Sequence, residues 1–345
     1  MRKSDYIYIS AKIRALEPRI LDRNDIERMI NATSLANAFQ VLNDTDYGDN
    51  LLGVEPENYR EALMDDLHQL HAFLQKNIPD PDLFKLIMLS RDFINLKFYF
   101  KAKLFGVDAD KHVEANSAYQ KNRNRDLLFE NHINYPEAIK ACVFGEKGQS
   151  LDEDIKEVIK KTLRQVNEKT RPDDVDAILM QYYYDLSLGL AKKIKSEFIY
   201  NYFKMSLDAT NLLSLLRSRR LQLSKDRLEK KLIKGGKIDI KKMINSYPEE
   251  ISNLKPFVNA HFDLKVSEAF NEFCENKKLF KIERVLENHK AGYTKKIKMQ
   301  NHGPEVVFAY YLAKINANTN TGIILTGKLN NVPVEEIKKT IKESY

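Results

Sequence analysis

A pattern of acidic, amide and basic side chains occurs twice in this 345-residue chain at matching offsets. The two copies read Asp92-x-x-Asn95 followed by Lys101-x-Lys103, and Asp208-x-x-Asn211 followed by Arg217-x-Arg219. On a helix, residues three positions apart share a face, so the Asp and the Asn of one copy can act together. Carboxylate and amide oxygens form charge-assisted hydrogen bonds with Lys and Arg. Such groups can tie neighbouring modules together or bind a partner protein.

Two weaker copies of the pattern lie near the ends of the chain. In the C-terminal copy the Asp position is Ala317, and the Asn and the second basic residue are Asn320 and Lys328. In the N-terminal copy the Asn position is Tyr6, followed by Lys12 and Arg14. The second basic residue therefore recurs at positions 14, 103, 219 and 328. A repeat of this length predicts one helical module used three times and closed by a fourth, partial copy.

The elements that position these residues are predicted to be helices. Only 12 Gly and 10 Pro occur, so few turns are available, and Leu63, Leu67, Leu70 and Leu74 form one apolar stripe. Pro79 and Pro81 should end that helix. Residues 173–223 form either one long helix or two helices folded back near Gly189. Residues 257–289 and 304–318 also have a helical pattern.

A second, shorter pattern places an oxygen acceptor just ahead of a helical segment. The acceptors are Ser34, Asn134 and Asp239. Side-chain oxygens at this position satisfy the first amides of a helix, so each is a predicted N-cap. We therefore expect an all-α fold of three similar helical modules, at residues 1–90, 91–205 and 206–345, the last including the C-terminal closing helices. Arranged around a pseudo-threefold axis, these modules would form a funnel.

Charge and composition narrow the class of protein. The net charge is +7, and residues 217–242 contain eleven Lys or Arg against three acidic residues. This basic patch is either a solvated helix face or a contact surface for an acidic partner, nucleic acid or anionic lipid. Cys142 and Cys274 form no disulfide framework and suggest a reducing compartment. The first residues lack an apolar signal core, and no run of 18 apolar residues occurs, so we expect neither secretion nor a membrane span.

The sequence gives little support for a phosphate-binding loop or for a metal site. The segment Gly235-Gly236-Lys237 lacks the glycine spacing and the Ser or Thr of a phosphate-binding loop. His68 and His71, with Asp65 nearby, could share a helix face, but two histidines and one carboxylate are a weak metal-binding signal. We expect no catalytic residues, no metal and no cofactor.

The terminal segments resemble one known family. The run Tyr6-Ile-Tyr8 to Glu17, followed by Leu42-Asn-Asp-Thr45-Asp-Tyr47, is similar to the start of the C subunit of the V-type and A-type ATPases, whose eukaryotic counterpart is the d subunit. The run Phe308-Ala-Tyr310 to Lys314, with Gly327-Lys328-Leu329-Asn330, looks like the same family's tail. With the internal copies, the resemblance covers essentially the whole chain.

The resemblance implies a non-catalytic rotor-coupling subunit that binds no nucleotide. It would cap the membrane proteolipid ring at the cytoplasmic face as a peripheral part of the V-type ATPase complex. It would also receive the central-stalk subunits, so that ATP hydrolysis or synthesis is coupled to H⁺ or Na⁺ transport. The expected partner-binding residues are Lys12, Arg14, Lys101, Lys103, Arg217, Arg219 and Lys328. The alternative is a soluble helical scaffold or nucleic-acid-binding adaptor that uses residues 217–242.

Overall fold

The computed structural model describes residues 2–45, 47–106, 136–146 and 151–344. Within these ranges every regular element is a helix, which confirms the all-α class. The chain divides into two compact units: unit 1 comprises Met1–Pro81 and Phe280–Tyr345, and unit 2 comprises Asp82–Leu279. The division into three modules and the funnel stay predictions.

The described residues contain sixteen α-helices. The first eight are α1 (Ile7–Leu16), α2 (Arg23–Asn31), α3 (Leu35–Gln40), α4 (Tyr59–Asn77), α5 (Pro81–Phe105), α6 (Pro136–Phe144), α7 (Glu153–Gln165) and α8 (Pro172–Ile194). The others are α9 (Glu197–Arg220), α10 (Lys225–Lys231), α11 (Ile240–Ser246), α12 (Lys255–His261), α13 (Leu264–Asn276), α14 (Leu279–Lys295), α15 (Pro304–Leu329) and α16 (Val334–Thr340).

Helix α15 is the centre of unit 1. It packs against α1, α2, α3, α4 and α16. The sequence explains this position, because residues 306–311 are all apolar or aromatic, and all residues from Pro304 to Tyr311 are buried. A helix that is apolar on all sides must be surrounded by other helices, whereas an amphipathic helix needs only one neighbour.

Helix α4 lies against α15 and has the predicted apolar stripe. Leu63, Leu70 and Leu74 are buried, whereas Leu67 is only half-buried. The helix ends at Asn77, two residues before Pro79, and Pro81 is the first residue of α5. Both prolines therefore act as predicted, since proline is tolerated in the first turn of a helix but not in its interior.

Helices α8 and α9 form an antiparallel pair in unit 2. The Tyr184 hydroxyl of α8 lies 2.8 Å from the Thr210 hydroxyl of α9, so the two helices fold back on each other. The break is at Lys195, which has a φ of 59°, and Ser196 then caps α9 by accepting from the Ile199 amide. The two-helix alternative is correct, but its break near Gly189 is wrong. Capping groups rather than the glycine end the helix.

Two of the three predicted N-caps are confirmed. The Ser34 hydroxyl accepts from the Asn37 amide at the start of α3, and the Asp239 carboxylate accepts from the Lys241 amide at the start of α11. The third, Asn134, lies outside the described residues. Short helices such as α3 and α11 are marginal alone, so the caps help to hold them in place.

The left-handed conformation of Lys195 gives a stability prediction. Replacing Lys195 by Gly should raise the free energy of unfolding by about 0.5 kcal/mol, because relief of ~1–2 kcal/mol of left-handed strain exceeds the entropy that glycine adds to the unfolded chain. The control Lys193→Gly removes the same charge from inside α8 and should lower stability by ~0.5–1 kcal/mol. Urea denaturation measures both; equal destabilisation would contradict the assignment of the break.

Candidate functional site

The amide side chain of Asn211, on α9, holds the segment between α10 and α11. Its Nδ2 donates to the Ile233 carbonyl and its Oδ1 accepts from the Ile233 amide, both at 2.8 Å. Asn211 is fully buried. The side chain thus pairs with both the amide and the carbonyl of one residue, as a neighbouring β-strand would. We call this arrangement the Asn clamp.

The carboxylate of Asp208, one helical turn earlier on the same face, holds the same segment further along. It accepts hydrogen bonds from the Lys237 amide at 3.0 Å and the Ile238 amide at 3.2 Å. Burial raises the pKa of Asp208 above its ordinary value, although the two backbone hydrogen bonds oppose this shift. A Cβ atom at Gly236 would lie 2.0 Å from the Asp208 carboxylate, so any other residue there would displace the carboxylate. This contact explains why a glycine precedes Lys237.

A second Asn clamp occurs in the C-terminal copy. Asn320, on α15, donates to the Lys342 carbonyl and accepts from the Lys342 amide, both at 3.0 Å. In both clamps the held residue lies 22 positions after the asparagine. The repeat seen in the side-chain pattern is therefore also a repeat of contacts. In the Asp92 copy, both Asp92 and Asn95 are buried.

The second basic residue of the Asp208 copy holds the far end of α11, the helix that follows the clamped segment. Arg219 donates through Nη2 to the Ser246 carbonyl at 3.0 Å and to the Glu249 carbonyl. Its guanidinium also lies over the Tyr247 ring, 5.2 Å from the ring centre. The carbonyls at the end of a helix have no partner within the helix, so a cation there satisfies them. Through Asp208 and Arg219, α9 is thus attached to the main chain at both ends of α11.

The equivalent basic residues in the other three copies also donate to main-chain carbonyls. Lys103 donates to the Val143 carbonyl in the last turn of α6, and Lys328 donates to the Ala32 carbonyl just after α2, each at 2.6 Å. Arg14 donates to the Ile297 carbonyl at 2.9 Å and to the Gln300 carbonyl. All four copies thus use one basic side chain to hold the end of a short helix or turn.

The first basic residues of the copies are placed differently. Lys12 donates to the Asn77 side chain at 2.9 Å, and Lys101 forms an ion pair with Asp176 at 2.7 Å. Arg217 is exposed and lies beside a cavity of unit 2. Of the seven predicted partner-binding residues, Lys12, Arg14 and Lys328 belong to unit 1, and Lys101, Lys103, Arg217 and Arg219 belong to unit 2.

Part of the basic patch at 217–242 is used within the fold. Arg227 contacts Asp174 and Asp173, each at 2.8 Å, and Lys231 contacts Asp173 at 2.6 Å. Burial would raise the pKa of Asp173, but hydrogen bonds from Lys231 and Arg227 outweigh it and lower the pKa to about 2. These cations connect α10 to the start of α8, so the patch is not only a solvated surface.

The main-chain partners of these side chains were not foreseen from the sequence. Ile233, Lys342 and Val143 contribute only amides or carbonyls, which every residue type has, so no side-chain pattern marks them. The one available signal is Gly236, whose missing Cβ admits Asp208. In the described ranges no group of three or more His, Cys, Asp or Glu side chains is placed to hold a metal ion.

The described helices include none with the length and apolar character needed to cross a membrane.

Comparison with known proteins identifies the family. The sequence model of the ATP synthase (C/AC39) subunit family matches residues 9–340. The chain belongs to this family, which confirms the resemblance of its terminal segments.

Similar proteins include both V-type and A-type representatives. The chain is 18% identical to the C subunit of the V-type sodium ATPase of Enterococcus hirae over 343 residues, which cover 99% of each protein. It is 28% identical to the C subunit of the A-type ATP synthase of Pyrococcus abyssi over 70% of this chain and 64% of that protein. For the corresponding Methanocaldococcus jannaschii protein, identity is 22% over 97% of this chain and 86% of that protein.

The close approach of Gly236 to Asp208 gives a matched pair of variants. Gly236→Ala should lower the free energy of unfolding by about 2 kcal/mol or more, because the added methyl displaces a buried, hydrogen-bonded carboxylate. Gly189→Ala adds the same methyl inside α8, where a Cβ meets nothing within 4 Å. That variant should gain ~0.5–1 kcal/mol. Chemical denaturation compares them, and a stable Gly236→Ala would contradict the contact.

Proposed function

We propose that this chain is the non-catalytic rotor-coupling subunit of a V-type or A-type ATPase. It caps the membrane proteolipid ring and receives the central-stalk subunits, so that ATP hydrolysis or synthesis is coupled to H⁺ or Na⁺ transport. It is a peripheral subunit at the cytoplasmic face of the membrane, and it uses no cofactor and no nucleotide of its own.

The observation that carries this proposal is the extent of the family match. It runs from residue 9 to residue 340, and the similarity to the E. hirae sodium ATPase protein extends over 99% of both chains. Because the relative is matched from end to end, the similarity is not confined to one shared helical segment. A component of a rotary ATPase that has no phosphate-binding loop is suited to transmit force rather than to hydrolyse ATP.

The contacts of the pattern residues support a mechanical role. A part that transmits torque must resist local deformation, and buried polar groups that are fully paired favour a single arrangement of the helices they join. The two Asn clamps and the four basic contacts attach short main-chain segments to helices in both units. Three modules at 1–90, 91–205 and 206–345, arranged as a funnel, remain part of this proposal.

The seven basic residues differ in how suited they are to partner binding. Arg14, Lys103, Arg219 and Lys328 hold main-chain carbonyls, so a partner would compete with the fold for them. Arg217 is exposed and lies in the last turn of the same helix as Arg219, which makes it the strongest candidate to contact the stalk. Lys12 and Lys101 have side-chain partners that an acidic group could replace.

The alternative, a scaffold or nucleic-acid adaptor using residues 217–242, has weaker support. Arg219, Arg227 and Lys231 are engaged within the chain, so the patch presents less charge than its sequence suggests. Non-specific nucleic-acid binding depends on the number of cations available to phosphates.

Removal of the chain from its ATPase complex tests the coupling role. Without it, ATP-driven ion uptake into vesicles should be lost, whereas ATP hydrolysis by the soluble head should persist, because the catalytic sites lie in other subunits. Adding back the purified chain should restore ion uptake. Ion transport that remains fully coupled to hydrolysis in its absence would refute the proposal.

Two neighbouring charge reversals separate partner binding from folding. Arg219→Glu should cost about 2 kcal/mol or more of stability, because two carbonyls lose their donor and face a carboxylate. Arg217→Glu should change stability by less than ~1 kcal/mol, since the residue is exposed. It should nevertheless weaken assembly with the stalk, measured by co-purification and ion uptake. If the stable Arg217→Glu protein assembles like the wild type, Arg217 is not a stalk contact.

A further inference from the structure

Unit 2 contains a cavity of about 380 Å³ bordered by α5, α8, α9 and α10. This volume lies within the range of small-molecule sites in proteins. The side chains that reach it include Lys97 from α5, Asp176 from α8, Arg217 and Ser218 from α9, and Lys231 from α10. The cavity adjoins the Asn clamp, because Ile233 lies on its border.

Lys97 is the unusual cation of this cavity. Its side chain is half-buried, and within the described residues its hydrogen-bond-distance contact is the Met180 sulfur, 2.8 Å from Nζ. A thioether is a weak acceptor and carries no charge. Burial lowers the pKa of Lys97, and the more distant Asp176 carboxylate opposes this shift. An anion that enters the cavity would therefore stabilise the charged form of Lys97.

Ser218 provides a hydrogen-bond donor on the adjoining border. It is 1% exposed, and within the described part of the chain its hydroxyl has no hydrogen-bond partner. A buried hydroxyl without a partner is uncommon in folded proteins and calls for an explanation. A ligand in the cavity would supply the missing acceptor.

The carboxylates of the cavity are already neutralised. Asp176 pairs with Lys101 at 2.7 Å, and Asp173 pairs with Arg227 and Lys231. The lining therefore contains three cations, Lys97, Arg217 and Lys231, against the two carboxylates, which leaves a net positive charge around the cavity. The resulting local field favours an anion.

We propose that this cavity binds a small phosphate-bearing anion, with Lys97 as its ion-pair partner and the Ser218 hydroxyl as a donor. Phosphate suits the site because its oxygens can accept from donors on several helices at once, and lysine is a common phosphate ligand. A carboxylate has fewer acceptor oxygens to distribute among α5 and α9. This site goes beyond the coupling role and does not depend on it.

Phosphate binding to the full-length chain tests the proposal. Inorganic phosphate at millimolar concentration should raise the melting temperature beyond the effect of chloride at equal ionic strength, because a ligand that binds only the folded state stabilises it. In titration calorimetry, Lys97→Met should weaken phosphate binding at least tenfold, and Ser218→Ala should weaken it several-fold. The matched control is Lys230→Met, which removes an exposed cation of α10 and should bind like the wild type.

The same measurements show whether the variant folds and which anion is bound. Without phosphate, Lys97→Met should melt at or above the wild-type temperature, since it removes a half-buried charge whose hydrogen-bond-distance contact among the described residues is a thioether. Adenosine monophosphate is then measured in place of inorganic phosphate. If it binds as well or better, the site accepts the phosphate of a larger molecule; if only inorganic phosphate binds, the site takes the free anion. Equal phosphate affinity in Lys97→Met and Lys230→Met overturns the proposal. So does the absence of phosphate binding to the wild type, or binding of glutamate alone, which would indicate an acidic partner side chain instead.

Discussion

The architecture of both units depends on hydrogen bonds from side chains of long helices to main-chain groups of short segments. Asn211 and Asn320 each hold the amide and the carbonyl of a residue 22 positions later. The contacts of Asn211 are buried, so breaking one leaves main-chain groups without water or protein partners, which costs ~1–3 kcal/mol per group. The long helices therefore determine where the short segments lie.

The basic residues complete this arrangement from the other end. A helix as short as α11 has few internal hydrogen bonds, and its terminal groups need external partners. Asp208 holds the segment before α11, and Arg219 holds the carbonyls at its end. A long helix that grips a short one at two points fixes both its position and its direction. Such double attachment suits a protein that must transmit force without deforming.

Much of this fold could be predicted from the sequence because it follows local rules. The apolar stripe predicted α4, and the prolines at 79 and 81 marked where it ends. Ser34 and Asp239 were predicted as N-caps because a single side-chain oxygen suffices for that contact. The break between α8 and α9 was predicted near Gly189 rather than at Lys195, because no residue type in the sequence marks a lysine that adopts the left-handed conformation.

By itself, the sequence determined the helical class, the repeated pattern and the family, since all three are recorded in side-chain types and their spacing. The tertiary structure decided what the pattern residues contact. Their partners are amides and carbonyls, which are the same in every residue, so spacing alone cannot distinguish a basic side chain that holds a helix end from one that is placed to meet a partner. The structure also brought Lys97 and Ser218 to one cavity, because residues on α5 and α9 become neighbours only when the helices pack.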